Sequence, residues 1–360
     1  MRRLQVKSSS GEYAVIVGRG AWRTLRRWQE YTSVFVLTEP HLWARWGKKF
    51  VRDAGWTRVR PVLVPSGEGS KSLAMAGRVA ADLLDRGADR RSLLVALGGG
   101  VVGDLGGFVA STYMRGIDYV QAPTTVLAQV DSALGGKTAV NIRAMKNLIG
   151  TFYPPRAVVS DPAVLSSLST RAFQSGLYEA VKHAILSGPT LFAWMERIVE
   201  QLRPGNTRLL ESLVARAAQV KVDVVCRDER EAALRRILNL GHTFGHALEE
   251  ATAYRRFLHG EAVAWGVLMV TRLAEIMSVL DPAVGKRIVH LVRSVGPLPS
   301  LRGLREDKVL GLLRRDKKAV GGEVHWVLPE AIGKIRVTPD VPEEAIRRAF
   351  HEVQSGGRND

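Results

Sequence analysis

Over roughly the first 165 residues, short apolar runs alternate with amphipathic stretches. YAVIVG, SVFVLT, VRPVLVP, SLLVALGGG and the short DYVQAP are rich in β-favouring residues and are separated by helix-length segments, the pattern of a parallel α/β sheet. They predict strands near 13–18, 33–38, 58–64 and 92–97, with a further one at DYVQAP. After SDPAVLSSL the texture changes. From about 170 to the C-terminus helical periodicity dominates, with short strand candidates only at VHWVLP and KIRVTP. The pattern predicts an α/β domain over 1–165 followed by a mainly α-helical domain over 166–360. RPGNT at 203–207 reads as a turn between helices rather than a linker, and no internal repeat is visible.

A length of 360 residues agrees with two domains. With 46% hydrophobic and 24% charged residues, the composition excludes a fibrous, low-complexity or largely disordered chain. No run reaches the roughly 18 to 20 apolar residues that span a bilayer, and MRRLQVKSSSGEY has no apolar stretch of the secretory kind. A cytoplasmic protein without membrane association is the expectation. Cys226, the one cysteine, excludes an internal disulfide and reads as buried or incidental on an amphipathic helix. Basic residues outnumber acidic ones 52 to 35, a net charge of +17. The excess is scattered in pairs such as Arg26-Arg27, Arg90-Arg91 and Arg347-Arg348, with no basic tail or aromatic-interleaved strand. It reads as solvated surface rather than a nucleic-acid stripe, and it suits an anionic small substrate.

The sharpest local signal is LLVALGGGVVGDLGGFVAS, where an apolar strand ends in Gly98-Gly99-Gly100 and runs directly into an apolar helix. Glycine permits positive φ and close backbone approach, and a helix N-terminus offers free N–H groups to a pyrophosphate. The GxGxxG spacing of Gly98 to Gly103 points to a dinucleotide, although a tight strand-to-helix turn would look the same. Asp104 is placed to cap that helix or to meet the cofactor. Upstream, VPSGEGSKS puts Glu68 and Lys71 in a loop after the third predicted strand. Downstream, QAPTTVLAQVDSALGGKTAVN gathers Thr124, Thr125, Asp131, Gly135, Gly136 and Lys137, and reads as a helix followed by a Gly-Gly turn presenting a lysine to a phosphate or carboxylate. Lys146 and Asn147 follow.

The later half holds metal-ligand candidates: Glu179 in SGLYEAVKHAIL, His242 and His246 in NLGHTFGHALEE, and His259 in FLHGEAV. His242 and His246 are four apart on one helix face, so spacing nominates both. A lone HxxxH is also often only a helix face. Two histidines and a carboxylate with an open position is the plan of a catalytic zinc site.

Together these stretches resemble the 3-dehydroquinate synthase family. The resemblance runs from about residue 60 to 330, where GGGVVGDLGGFVAS, YMRG, APTTVLAQVDSALGGKTAVN, KNLIGTFYPP, GLYEAVKHAIL, LRRILNLGHTFGHALE, LHGEAVAWG and DKK occur in the family's order. It implies a Rossmann-like parallel-sheet NAD-binding domain followed by a mainly helical metal- and substrate-binding domain, the cofactors NAD and a divalent metal (zinc or cobalt), and a homodimer. It implies Glu179, His242 and His259 as metal ligands, with His246 left to face the substrate. The implied substrate is the strongly anionic sugar phosphate 3-deoxy-D-arabino-heptulosonate 7-phosphate. Positions matching its carboxylate, phosphate and hydroxyl contacts are Arg115, Lys137, Lys146, Asn147, Lys182, Lys221, Arg235, Asn239 and His246, with Lys317 favoured over Lys318 in DKK. Cofactor positions are Glu68, Lys71, Gly99, Gly100, Asp104, Thr124, Thr125 and Asp131, with Lys137 and Lys146 shared. The implied reaction is transient oxidation by NAD, phosphate elimination, reduction, ring opening and intramolecular aldol closure to 3-dehydroquinate. Ala139 stands where the family often has Gly, and His183 where it often has Tyr.

Sister sugar-phosphate cyclases, making 2-epi-5-epi-valiolone or 2-deoxy-scyllo-inosose, share the implied cofactor and metal sites and differ in the substrate pocket. Lys221, Arg235 and Asn239 favour a carboxylated substrate. A glycerol-dehydrogenase-like oxidoreductase is opposed by the DSALGGKTAVN and KNLIG stretches. A basic nucleic-acid-binding protein that had lost catalysis would be expected to have lost Lys137 or a metal ligand, and it has lost neither.

Overall fold

The structure is a computed structural model that describes all residues except 144, 232, 320–323 and 357–360, without the side chains of 314–319. The chain forms two compact units, one made of Met1–Leu168 with Arg203–Glu229, the other of Ser169–Leu202 with Arg230–Asp360.

The first unit is built on a seven-stranded sheet of order β1-β2-β9-β6-β5-β3-β4: β1 Arg2–Ser8, β2 Gly11–Val17, β3 Val34–Thr38, β4 Val59–Leu63, β5 Leu93–Gly98, β6 Asp118–Pro123 and β9 Ala157–Ser160. Only β1 and β2 pair antiparallel; the other pairs are parallel. β3 and β5 are buried at every position, which is why they read as continuous apolar runs rather than alternating ones. The predicted strands appear within two residues of their expected ends, whereas β1, β9 and a separate antiparallel hairpin, β7 (Lys137–Ile142) with β8 (Met145–Phe152), were not expected. β1 is largely polar, β9 is four residues long, and the exposed apolar residues of β8 break its alternation. The helix expected before Gly135 is present but short, running over 126–132 and widened at Ala128–Ser132.

Parallel register brings the carboxyl ends of β3, β5 and β6 level. Gly98 pairs with Pro123, and Thr38 pairs with Leu97, whose carbonyl accepts from Thr38 Oγ1 at 2.7 Å. Three loops therefore leave one edge of the sheet: Gly99 onward, Thr124 onward, and the stretch after β4 that carries Glu68 and Lys71. Ligands of open α/β sheets bind at such an edge.

The contiguous division at 165/166 fails at one place. RPGNT is where the chain returns to the first unit, and the helix Thr207–Arg227 packs on β1. Several contacts hold it. Glu211 accepts from the Arg19 amide at 3.1 Å, Glu229 accepts from Ser9 Oγ at 2.5 Å and the Ser10 amide at 3.2 Å, and Cys226 Sγ accepts from the Lys7 amide at 3.4 Å. Cys226 itself is exposed, not buried.

The second unit is helical, with one antiparallel hairpin, β10 (Trp326–Ala331) and β11 (Lys334–Thr338), where the two strand candidates were read. At its centre the helix His259–Ile276 is buried over nearly its whole length, and its sequence is correspondingly apolar on all sides. Its start is fixed by Glu261, which accepts from the Leu258 amide at 2.7 Å and from both Nε and Nη2 of Arg171. Among the described residues no helix is long and apolar enough to cross a membrane.

Candidate functional site

In the first unit the turn after β5 is a cradle of backbone. The helix Gly100–Thr112 begins at Gly99 with no side chain capping it, so its first N–H groups face outward without a protein acceptor of that kind. None of Gly98, Gly99, Gly100, Gly103, Gly106 and Gly107 has positive φ, so the expected conformational reason for glycine does not apply here. Space is the reason. A Cβ on Gly99 would stand 3.1 Å from Thr125 Cγ2, and one on Gly100 3.1 Å from Ser132 Oγ. Gly103 and Gly106 serve packing instead: a Cβ would meet Gln121 Oε1 at 2.7 Å or Ala96 Cβ at 3.0 Å. The pair at 99–100 thus lines the cradle, and the later glycines let the helix lie close on the sheet. An uncapped helix N-terminus beside small residues suits a pyrophosphate.

Around the cradle the predicted cofactor side chains converge. Lys71, buried, donates through Nζ to the Asp104 carboxylate and to Asn147 Oδ1. Burial pushes the Asp104 carboxyl up from the ordinary range while Lys71 opposes the shift. Glu68 Oε1 accepts from Asn141 Nδ2 at 2.8 Å. Thr124 is buried with its amide on Gly98 O at 2.9 Å, and Thr125 Oγ1 caps the short helix at Ala128 N, 3.1 Å away. That helix presents Asp131, whose Oδ1 pairs with Lys221 Nζ at 2.9 Å. Lys221 comes from the returning helix, so it belongs to the first unit rather than to the helical domain in which sequence order had put it. Lys137 is exposed at the start of β7, while Lys146 and Asn147 lie near the start of β8. Arg115 stands apart. It is exposed, with φ 69°, at the end of the Gly100–Thr112 helix opposite Gly99, about 20 Å away at 1.5 Å per residue.

In the second unit three helices bring the metal candidates together. Glycines permit the approach: a Cβ on Gly260 would collide with the Ser175 carbonyl, and one on Gly245 would lie 3.2 Å from Ala262. Glu179 is fully buried on the helix Thr170–Ser187; its Oε1 lies 3.9 Å from His242 Nε2 and 3.6 Å from His259 Nε2. Ligand atoms around a tetrahedral zinc ion stand about 3.4 Å apart, so these three groups fit a divalent ion with little movement. Glu179 Oε2 is met by the Lys182 ammonium, with Nζ 2.5 Å away, whereas Oε1 has no hydrogen-bond partner and is turned to the histidines. Buried carboxylate oxygens without hydrogen-bond donors are costly unless a cation meets them.

His246 is exposed beside this group, its ring 5.4 Å from that of His242 and 6.0 Å from that of His259. Spacing alone had nominated His246 equally with His242, yet among the described residues the group closing around Glu179 with His242 contains His259. Arg235 is buried in the short helix Leu234–Asn239, and Asn239 Nδ2 donates to Glu231 Oε1 at 2.7 Å. Lys317 and Lys318 lie outside the residues whose side chains are described.

Glu249 is a residue that sequence reading missed. It is buried, and its Oε2 lies 3.2 Å from His259 Nδ1. Burial pulls the His259 imidazole down, but the hydrogen bond and charge of Glu249, helped by Glu179, outweigh it and the net direction is upward. A carboxylate on Nδ1 orients the ring so that Nε2 faces Glu179. Its signal was the glutamate three residues after His246 on a helix already suspected of ligation.

Comparisons with known proteins identify the family. Residues 61–175 match the model of the 3-dehydroquinate synthase N-terminal domain, and residues 176–319 that of the C-terminal domain. A 3-dehydroquinate synthase of Koribacter versatilis is 44% identical over 98% of each chain. Among solved structures, a 2-epi-5-epi-valiolone synthase from Streptomyces hygroscopicus with NAD+ and Zn2+ bound is 27% identical with a TM-score of 0.88, over 99% of this chain and 100% of that one. A 2-deoxy-scyllo-inosose synthase complexed with carbaglucose-6-phosphate, NAD+ and Co2+ is 25% identical with a TM-score of 0.86, over 98% and 99%.

Proposed function

The chain belongs to the 3-dehydroquinate synthase family, and on that premise we propose how its own residues divide the work of converting 3-deoxy-D-arabino-heptulosonate 7-phosphate to 3-dehydroquinate and phosphate. It is an NAD- and divalent-metal-dependent lyase of the phosphate-eliminating kind. The observation that carries the residue assignment is Glu179 Oε1 facing both His242 and His259 while Lys182 holds the other oxygen.

Glu179, His242 and His259 hold the metal. Glu68, Lys71, Gly99, Gly100, Asp104, Thr124, Thr125 and Asp131 hold NAD, with Lys137 and Lys146 beside it. When bound, NAD supplies a reversible hydride acceptor and the divalent ion a Lewis acid for the substrate's hydroxyls.

The remaining roles fall to cations and amides. Lys137, Lys146, Lys182, Lys221, Arg235 and Lys317 neutralise the substrate's carboxylate and phosphate, and Asn147, Asn239 and His246 take its hydroxyls; Arg115, at the far end of its helix from the cradle, is left without a role within this chain. Lys221 does this from a fixed position, because Asp131 holds its ammonium. Lys182 also aims Glu179. A charged group already paired and buried needs little reorganisation when an anion arrives. A cytoplasmic homodimer completes the reading; Met145, Leu148 and Phe152 of β8 are exposed apolar side chains that a second copy would cover. Light scattering of the purified chain tests this.

The deciding experiment is phosphate release from the heptulosonate phosphate with catalytic NAD and added zinc or cobalt, before and after EDTA. The expected result is metal-dependent release with 3-dehydroquinate as product and no net NADH. Release only from sedoheptulose 7-phosphate or glucose 6-phosphate would move the chain to a sister cyclase activity.

A further inference from the structure

β7 and β8 pair regularly from Lys137–Phe152 to Val140–Ile149, then again at Ile142–Met145. Between these points Asn141 alone stands opposite Lys146, Asn147 and Leu148, a bulge of the kind found next to active sites. Asn147 takes left-handed backbone there, φ 56°, and its N–H donates to Asn141 Oδ1 at 2.9 Å. The other end of the same amide donates to Glu68 Oε1 at 2.8 Å, and the Asn141 backbone N–H donates to Lys71 O at 2.8 Å. Lys71 Nζ closes the ring by donating to Asn147 Oδ1. One side chain thus uses both its donor and its acceptor to join the loop carrying Glu68 and Lys71 to the bulge carrying Lys146 and Asn147.

We propose that Asn141 is the positioning residue that locks the cofactor loop and the substrate bulge into one arrangement, so that ordering either segment orders the other. This rests on the roles assigned above to Glu68, Lys71, Lys146 and Asn147. Its physical basis is independent of them. An amide carries its donor and acceptor on separate atoms, so one end can donate to a carboxylate while the other accepts from a backbone N–H; a hydroxyl has a single oxygen for both. Aspartate at this position would keep the acceptor and set a carboxylate against Glu68; alanine would lose both.

The test uses the full chain as Asn141→Ala, Asn141→Asp and Asn141→Ser. Hydrogen exchange of the ligand-free protein is followed at 65–72 and 145–149. In Asn141→Ala both segments should exchange faster together, by about tenfold, with the rest of the unit unchanged. NAD affinity and substrate KM should each worsen by about tenfold while kcat changes less. Asn141→Asp should weaken NAD binding and leave KM within about twofold, the split that a general loss of stability does not produce. Asn141→Ser serves if alanine fails to fold, and should show the same paired acceleration to a smaller degree. In Asn141→Ala, or in Asn141→Ser if alanine does not fold, acceleration confined to one segment, or NAD affinity and KM both unchanged, overturns the proposal. A wild-type protein that neither binds NAD nor releases phosphate refutes the functional reading instead, and the exchange result still decides the coupling.

Discussion

The cradle of the first unit and the acid-histidine group of the second, proposed to hold NAD and a divalent metal, are built in opposite ways. The cradle is largely backbone: an uncapped helix start, two glycines kept bare by Thr125 and Ser132, and strand ends levelled by parallel pairing. The metal group is side chain throughout, with Glu179, His242 and His259 drawn from three helices and aimed by Lys182 and Glu249. A backbone site is damaged by adding atoms, and a side-chain site by removing them. The two should therefore fail separately.

The largest effect is expected from removing a ligand. His242→Ala should abolish bound metal and turnover, with metal affinity falling by more than the roughly 10–100-fold typical of an outer partner, while NAD binding stays near normal. His246→Ala should keep its metal and lose activity. Metal analysis of the two variants decides it, and the reverse pattern would show the ligand choice to be wrong.

Next comes an addition to the cradle. Gly99→Val should weaken NAD binding by at least about tenfold because its side chain fills the space in front of the helix start, with metal content unchanged. Gly103→Ala, whose Cβ would meet Gln121 Oε1 at 2.7 Å, should instead cost about 1–3 kcal/mol of stability as an overpacked core position and leave NAD affinity nearly intact. If titration finds both glycines equal, the distinction between lining and packing glycines fails.

A third substitution sharpens the side-chain half. Glu249→Gln should lower metal affinity about 10–100-fold without touching a ligand. Competition with a chelator reads it directly, and unchanged affinity would leave Glu249 a purely structural acid.

The smallest effect concerns how the returning helix is held. Burial raises the Glu229 carboxyl, but hydrogen bonds from Ser9, Ser10 and Ser8 outweigh it and the net direction is downward. A carboxyl depressed in the folded state contributes stability that is present above its unfolded pKa and is lost as pH falls through the folded one. Glu229→Gln should therefore lower the melting temperature slightly at pH 7, and by less as pH falls below the ordinary carboxyl range toward 3. An equal difference at both pH values would mean that the contact does not depend on charge.

Much of the first unit could be read in advance because parallel strands buried on both faces must be apolar throughout, and a glycine run directly after such a strand marks a tight turn into a helix. β3, β5 and the Gly98–Gly100 turn all announced themselves this way. β8 did not, since its exposed Met145, Leu148 and Phe152 break any alternation. Nor did the return of Thr207–Arg227 to the first unit, because an amphipathic helix shows that it covers something without showing what.

The chemistry divides in the same way. Residue types and order along the chain were enough to nominate a dinucleotide turn, a set of acid and histidine candidates and an anionic substrate, since each depends on local backbone or on side-chain chemistry. Spacing left His242 and His246 as equals, and nothing local singled out Glu249 or Asn141. The fold distinguishes them because ligand geometry and hydrogen bonding depend on distances of a few ångströms between residues far apart in the chain, and those distances exist only once the helices and the hairpin have packed.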